Sequence, residues 1–223
     1  MAGRLTVLAT PIGNLEDLSG RARRTLAEAD VVVAEDTRRT LQLLRHLGLE
    51  RELMSLPAFD ERRRVPAILA RLDAGEHVVL CSDAGMPAVS DPGAVLVAAA
   101  HDRGVRVDVI PGPSAVVAAV AGSGLGGGGG FTFLGFLPRS PTRMRRSVEA
   151  ALVLDQPVVV FEAAVRLART LETLSGVIKE RPVVIARELT KVHETFHRGT
   201  AAELAVAFRA APPRGECTIV IGA

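Results

Sequence analysis

Long apolar runs and an export signal are missing from this sequence, which argues against two classes of protein. No stretch reaches the roughly 18 to 20 uninterrupted apolar residues that a membrane-spanning helix needs. The longest mildly apolar run, Ser114 to Leu125, is rich in alanine and glycine. The first apolar segment, Leu5 to Ala9, soon meets acidic residues and lacks the cleavage site of a signal peptide. We expect neither a membrane span nor a secretion signal.

Cysteine is scarce, with only Cys81 and Cys217, each inside an apolar run that favours a β-strand. A buried free thiol is the simplest interpretation of such a position. The five histidines lack the spacing typical of metal ligands, so we expect no metal site. These features fit a protein of the reducing cytoplasm.

Net charge is also small, at +2. Dedicated nucleic-acid binders are more basic, so any contact with RNA must be local. The best-placed cluster contains Arg139, Arg143, Arg145 and Arg146, beside a predicted loop. It fits contact with phosphates, and it equally fits a solvated helix face.

The hydrophobic pattern predicts an α/β protein, because short β-rich runs alternate with helical stretches of about 10 to 13 residues. We therefore expect a largely parallel sheet in the first half of the chain. The predicted strands are Leu5–Ala9, Val31–Ala34, Leu53–Leu56, Val78–Cys81, Val105–Ile110, Phe131–Phe136, Val158–Phe161, Val183–Ala186, His193–His197 and Thr218–Ile221.

A glycine run, Gly126 to Gly130, is too flexible for the inside of a helix or strand and marks the predicted domain boundary. We predict an N-terminal α/β domain at 1–113, a connecting helix and Gly-rich linker at 114–130, and a C-terminal α/β domain at 131–223. The strands at Val183 and His193 are too close in sequence for a helical crossover. The second sheet is therefore predicted to be mixed.

Small and rigid residues follow three predicted strands, in the loops Ala9–Asn14, Ser82–Pro87 and Pro111–Ala115. The first of them lacks the three glycines of a dinucleotide fingerprint, and the glycine run Gly126 to Gly130 lacks the Gly-Lys-Ser/Thr of a phosphate loop. All three loops leave the same edge of the predicted sheet, where small ligands of α/β proteins bind. We predict a pocket lined by them.

Individual residues near these loops have two interpretations. For Asp83 we favour ligand contact, because its carboxylate suits an amino group or ribose hydroxyls. For Asp91 we favour an N-cap of the following helix, with Pro92 at the first helical position. Ser114 fits either a helix cap or a ligand contact.

Charged residues follow one strand in each half. They are either site residues or helix caps and solvated faces, and Asp36 fits an N-cap equally well. Lys191 is one of only two lysines in the chain. The two groups are Glu35, Asp36 and Arg38, and Arg187, Glu188 and Lys191.

Seven segments form a recognisable pattern when taken in order: Leu8–Leu15, Ala34–Arg38, Ser82–Gly85, Ser90–Gly93, Pro111–Ala115, Gly135–Arg139 and Ala186–Lys191. Together they resemble the ribosomal RNA small subunit methyltransferase I family of the tetrapyrrole methylase superfamily. The resemblance implies a two-domain α/β fold with S-adenosyl-L-methionine in a cleft between the domains, and a homodimer. It also implies 2'-O-methylation of a cytidine in 16S rRNA of the small ribosomal subunit.

The resemblance also implies a set of cofactor contacts, most of them through backbone groups. One family motif departs from the pattern here, because Phe161 to Arg166 lacks its Ser, Pro and His. The expected contacts are Ile12, Gly13, Asp83, Met86, Ser114, Ala115, Phe161 and Ala186.

A ribose hydroxyl is a weak nucleophile near neutral pH, so transfer to it needs a base or a cation at the site. Glu35 and Asp36 are the candidate bases. The candidate cations are Arg38, Arg187 and Lys191, with Glu188 as a further catalytic candidate, and Arg139 and Arg187 are the expected RNA contacts.

Two other functions remain open. The first is methylation of a corrin or another tetrapyrrole, for which a broad apolar site is expected. The second is a non-catalytic RNA-binding factor of ribosome assembly that keeps the cofactor fold.

Overall fold

The computed structural model describes residues 3–126 and 129–223. The chain divides into two compact units, Met1–Ser114 and Ala115–Ala223. Each unit contains its own five-stranded sheet, and sheet and helices alternate as the sequence predicts.

The first unit is built on a parallel sheet with the strand order β3-β2-β4-β1-β5. Every predicted strand is confirmed to within a residue or two. The elements are β1 (Arg4–Leu8), α1 (Gly20–Glu28), β2 (Val31–Ala34), α2 (Thr37–His46), β3 (Glu52–Ser55), α3 (Glu61–Asp73), β4 (His77–Cys81), α4 (Ala94–Asp102) and β5 (Arg106–Ile110), with 3₁₀ helices at Leu15–Asp17 and Ala58–Asp60.

Helices cover both faces of this sheet. Successive side chains of a strand point to opposite faces, so Val31 and Val33 pack with α3 and α4 while Val32 packs with α1 and α2. All three are fully buried, and each such side chain contributes about 1.5–3 kcal/mol by leaving water. This two-sided burial explains why the strands are nearly continuous apolar runs.

The prediction that Asp91 caps the next helix, with Pro92 at its first position, is wrong. Helix α4 begins at Ala94 and its N-cap is Gly93, which has a φ of 130°. The free backbone donors are satisfied from elsewhere, because Glu61 Oε1 accepts hydrogen bonds from the Gly93 and Val95 N–H groups at 2.9 and 3.0 Å. A carboxylate of α3 therefore replaces the local cap.

The second unit is built on a mixed sheet with the order β6-β7-β10-β8-β9, which confirms the prediction. Strands β6 and β7 are parallel, and the other neighbours are antiparallel. The elements are α5 (Ala115–Ser123), β6 (Thr132–Phe136), α6 (Pro141–Leu152), β7 (Val158–Ala163), a 3₁₀ helix (Ala164–Arg166), α7 (Leu167–Ile178), β8 (Val183–Arg187), β9 (Thr195–Gly199), α8 (Ala201–Ala210) and β10 (Glu216–Ile221).

Helices cover this second sheet as well. The main core includes Val160 and Ile219 on the face where α6, α7 and α8 pack. Helix α5 contacts the strands β7, β8 and β10, and a Cβ on its Gly122 would overlap the ring of Phe196. In the glycine run that we interpret as a linker, Gly127 and Gly128 lie outside the described residues.

Both cysteines are buried free thiols, as predicted. Burial raises the pKa of Cys81 to about 12 and that of Cys217 to about 11. Both thiols therefore stay protonated at neutral pH. In the residues that the structure describes, no helix has the length and apolarity required to cross a membrane.

Candidate functional site

The three loops that the sequence places at one sheet edge are bonded together in the first unit. Thr10 N donates to Gly85 O at 2.9 Å and Gly85 N donates to Thr10 O at 3.1 Å, which joins the first loop to the second. The first loop also approaches the third, because Ala9 N donates to the O of Ile110 at the end of β5, at 3.1 Å, and a Cβ on Gly112 would lie 2.9 Å from Ala9 Cβ. A Cβ on Gly85 would lie only 3.6 Å from Pro113 O. The edge is therefore a set of mutually supporting turns.

Two buried hydroxyls that were not among the predicted site residues hold this arrangement. Thr10 Oγ1 donates to Ser82 O at 3.1 Å, and Ser82 Oγ donates to Gly85 O at 3.0 Å. Both side chains are about 3% exposed. A small hydroxyl residue directly after an apolar strand, as at both positions, is the pattern that would have indicated them.

An open groove of about 500 Å³ lies at this edge, within the size range of small-molecule sites. Thr10 and Pro11 line it from the first loop, and Ser82 and Asp83 from the second. Residues of the third loop are not among those that line this groove, and α2 contributes there instead. The reason is the strand order, because β5 lies beyond β1 while β2 neighbours β4. The other lining residues are Leu15, Arg39, Thr40, Gln42 and Leu43.

Asp83 connects this groove to the segment that follows β2. Its Oδ1 accepts a hydrogen bond from the backbone N–H of Asp36 at 3.1 Å, and its Oδ2 lies 3.5 Å from Arg39 Nε. The carboxylate therefore has protein partners on one side while it lines the groove on the other.

Asp36 is the N-cap of α2, and its Oδ1 accepts a hydrogen bond from Arg38 N at 3.0 Å. The Arg38 guanidinium also binds both carboxylate oxygens, at 2.9 and 2.7 Å. These side-chain and backbone hydrogen bonds from Arg38 lower the pKa of Asp36 to about 2. Asp36 is therefore a weak proton acceptor, and the Arg38 side chain, although 87% exposed, is already paired.

Glu35 has a different environment from its neighbour. Its side chain makes no hydrogen bond to any residue that the structure describes, and burial followed by the nearby Asp83 carboxylate raises its pKa. The pKa of Asp91, which is partly buried, is also raised. Burial raises the pKa of Asp91 to about 6, helped by the negative charges of Glu35 and Asp83. Three carboxylates thus share this edge of the sheet.

Two expected cofactor contacts of the second unit are in register across its sheet. Phe161 on β7 and Ala186 on β8 both pair with Thr218 on β10, one from each side. Thr218 is 4% exposed, and its position between these two residues was not predicted from the sequence. The Phe161 ring also packs against Phe133 and Phe136, with ring centroids 4.9 and 5.5 Å away.

The charged segment after β8 is tied to β10 and its preceding loop. Lys191 Nζ donates to Glu188 Oε1 and to Glu216 Oε2, both at 2.9 Å. Although burial opposes it, these bonds raise the pKa of Lys191. For Glu188, burial acts to raise the pKa. The hydrogen bonds from Glu216 N and Lys191 outweigh this effect, so the pKa of Glu188 is lowered. Lys191 therefore holds its proton firmly.

The Arg187 side chain is held by residues of two other segments, the one that leads into β9 and the one that leads into β10. Its guanidinium donates to Thr195 Oγ1, Arg214 O and His193 O, at 3.2, 3.0 and 3.3 Å respectively. Arg139, between β6 and α6, is exposed, with no ion pair to another described residue.

The remaining expected contacts lie in two of the loops and beside α5. Ile12 is largely buried and Gly13 exposed in the first loop, while Met86 packs partly against the core beneath α3 and α4. Ser114 directly precedes α5, which begins at Ala115. In the first unit the structure thus places Glu35, Asp36, Asp83 and Ile12 at one sheet edge.

Comparison with known proteins identifies the family. Residues 4–205 match the model of the Tetrapyrrole (Corrin/Porphyrin) Methylases. The chain is 44% identical over 219 residues to the ribosomal RNA small subunit methyltransferase I of Thermotoga maritima, covering 98% of each chain. It is 46% identical over 203 residues to the protein of the same name from Xylella fastidiosa, covering 91% of this chain and 74% of the relative.

Solved structures show the same fold at lower sequence identity. A cobalt precorrin-4 methyltransferase aligns with a TM-score of 0.73 at 20% identity, covering 98% of this chain and 94% of the other. Uroporphyrin-III C-methyl transferase from Thermus thermophilus, solved with S-adenosylhomocysteine, aligns with a TM-score of 0.68 at 21% identity, covering 99% and 97%. The chain therefore belongs to the ribosomal RNA small subunit methyltransferase I family of the tetrapyrrole methylases.

Proposed function

We propose that this protein transfers a methyl group from S-adenosyl-L-methionine to the ribose 2'-hydroxyl of a cytidine in 16S rRNA. The observation that carries the proposal is the bonded edge of the first unit, where Asp83 lines a groove large enough for a small-molecule cofactor and its charge acts on Glu35. Relatives over 40% identical named for ribosomal RNA methylation support RNA as the substrate.

The residues of the groove fit the proposed cofactor. Asp83, which lines the groove, supplies a carboxylate for an amino group or ribose hydroxyls, and Gly13 supplies exposed backbone in the first loop. We assign further contacts to Ile12, Met86, Ser114, Ala115, Phe161 and Ala186. When bound, S-adenosylmethionine supplies an electrophilic methyl group, and these residues hold it in a fixed orientation, which accounts for much of the acceleration in such reactions.

Glu35 is the base in this proposal. A proton acceptor works best when its pKa approaches the working pH, and the pKa of Glu35 is raised whereas that of Asp36 is lowered to about 2. Asp36 instead caps α2 and orients Arg38. The 2'-hydroxyl proton therefore passes to the Glu35 carboxylate, which makes no competing hydrogen bond with a described residue.

Lys191 and Arg187 are the cations of the proposal. Lys191 keeps its charge because Glu188 and Glu216 bind its ammonium group. Such a cation stabilises a developing oxyanion or a neighbouring phosphate. Glu188 is therefore a positioning residue, and Arg187 and Arg139 are the proposed contacts to RNA phosphates.

The proposed substrate places the protein in the cytoplasm with the small ribosomal subunit, and we propose that it acts as a homodimer. Methylation of a tetrapyrrole is the weaker alternative. Two solved tetrapyrrole methylases, the cobalt precorrin-4 and uroporphyrin-III enzymes, are only 20% and 22% identical to this chain, and the groove includes Arg39 and Asp83 rather than being broadly apolar.

The proposal is tested by incubating the protein with radiolabelled S-adenosylmethionine and small ribosomal subunits that lack their own modifications. Label recovered in 16S rRNA supports it. Cofactor binding without label in RNA contradicts it, and then the tetrapyrrole methylase and the non-catalytic assembly factor become the better interpretations.

A further inference from the structure

One aromatic side chain in the first unit is almost fully exposed. Phe59 is 93% exposed, the highest value among the phenylalanines, and it lies on the 3₁₀ helix Ala58–Asp60. Single exposed apolar residues are common, but this one is held in place from both sides. The preceding Leu56 is fully buried and donates its N–H to Ala34 O at 2.8 Å, and α3 begins two residues after Phe59.

Three consecutive arginines come shortly after Phe59 in the sequence. Arg62, Arg63 and Arg64 are exposed in the first turn of α3, the positive end of the helix dipole, where cations are unfavourable. Arg64 pairs with Asp60 at 3.0 Å, whereas Arg62 and Arg63 have no ion pair with any described residue. The neighbouring Glu61 carboxylate bonds to the start of α4 and forms no ion pair with these arginines.

This surface lies at the same sheet edge as the proposed site. Strand β3 runs parallel to β2, with Ser55 opposite Ala34, so Phe59 and Glu35 both follow strands that end at this edge. Glu61, two residues after Phe59, bonds to Gly93, two residues after Asp91. Phe59 and Glu35 therefore follow neighbouring strands at one edge of the same sheet.

We infer that Phe59, Arg62 and Arg63 form a contact site for single-stranded RNA, in which an unpaired base stacks on Phe59 and the arginines bind the flanking phosphates. A stacked duplex hides the base faces, whereas unpaired bases expose them to aromatic side chains. The inference rests on the proposed function, and it adds a determinant for unpaired RNA beside the modified nucleotide.

The test uses the full chain, a fluorescent, short, unstructured RNA for binding, and unmodified small subunits for methylation. Stacking on one base predicts that Phe59→Leu weakens RNA binding about tenfold and raises KM without lowering kcat, whereas Phe59→Trp retains affinity. The double variant Arg62→Gln/Arg63→Gln should weaken RNA binding. It should also make the slope of log affinity against log salt concentration shallower, by the equivalent of about 1 to 2 phosphate contacts. Arg23→Gln/Arg24→Gln, an equal change of charge on exposed residues of α1, is the control.

Equal RNA affinity and KM for wild type and Phe59→Leu, with wild-type methylation intact, would overturn this inference alone. A wild-type protein that neither binds nor methylates RNA would overturn the proposed function as well. A variant that changes only the oligomeric state in sedimentation would assign the surface to a second copy of the chain, against the inference.

Discussion

The Glu61 carboxylate accepts a hydrogen bond from the Gly93 backbone N–H at 2.9 Å, and this contact joins the start of α3 to the start of α4. The two residues are 32 positions apart. The same oxygen also accepts the Val95 N–H, so one side chain satisfies two backbone donors of α4. The loop that carries Asp91 is thus fixed at its far end by a residue from another helix.

Glu61→Ala should lower the free energy of unfolding by about 1–2 kcal/mol, because two backbone donors lose a charged acceptor. Chemical denaturation measures the change. Glu50→Ala, which removes an exposed glutamate of the same unit, is the control and should change stability by less than about 0.5 kcal/mol. Equal effects of the two substitutions would show that Glu61 does not cap α4.

Gly93→Ala should destabilise the protein more than Gly104→Ala. Both positions have positive φ, 130° and 68°, but a Cβ at Gly93 would lie 2.7 Å from Leu80 Cδ2, whereas nothing lies within 4 Å at Gly104. We expect about 1 kcal/mol for Gly104→Ala and at least about 2 kcal/mol for Gly93→Ala. Thermal unfolding of both variants gives the comparison, and a larger loss at Gly104 would contradict the described packing.

Asp91 should make stability depend on pH. Its pKa is raised from 3.8 to about 6, so the folded protein binds more protons than the unfolded chain between these values. The stabilisation is fully present below about pH 4 and is lost as the pH rises through about 6. Asp91→Asn, which cannot ionise, should therefore be more stable than wild type above pH 7, by about 1 kcal/mol after allowing for solvent screening.

Unfolding curves at pH 4, 6 and 8 measure this effect. The control is Asp17→Asn, at an exposed aspartate. A difference between wild type and Asp91→Asn that does not grow from pH 4 to pH 8 would show that Asp91 ionises normally.

Glu35→Gln should lower kcat for RNA methylation by at least about 100-fold, the usual loss when a general base is removed. Asp36→Asn should change kcat much less, because asparagine also caps helices well. Binding of S-adenosylmethionine, measured by calorimetry, should be unchanged in both. Full turnover by Glu35→Gln would show that Glu35 is not the base. Full turnover by both Asp36→Asn and Glu188→Gln would remove Asp36 and Glu188 from the candidate catalytic groups.

The strands and the mixed second sheet could be predicted because their apolar runs and short connections leave few alternatives. Val31–Ala34 is buried on both faces, so its pattern is continuous. The cap at Asp36 could also be predicted, because its carboxylate accepts a hydrogen bond from the backbone N–H of Arg38, only two residues along the chain. The Asp91 cap failed because the acceptor that replaces it, Glu61, comes from a helix about 30 residues earlier, and no local pattern encodes that contact.

The candidate site was predictable to the same extent. The loops after β1 and β4 could be placed at one edge because parallel strands end at the same edge of a sheet, and Asp83 could be placed there from its position after a strand. The contrast between Glu35 and Asp36 could not be predicted, because it depends on which side chain Arg38 reaches. Thr218 was also missed, since only the register of β7, β8 and β10 places it between Phe161 and Ala186.

The most direct test of the central claim is analysis of the nucleosides from 16S rRNA after methylation by the purified protein. We expect one new 2'-O-methylcytidine, recognised by the resistance of the adjacent phosphodiester to alkaline cleavage. A methyl group found only on a base, or no methyl group in the RNA, would contradict it.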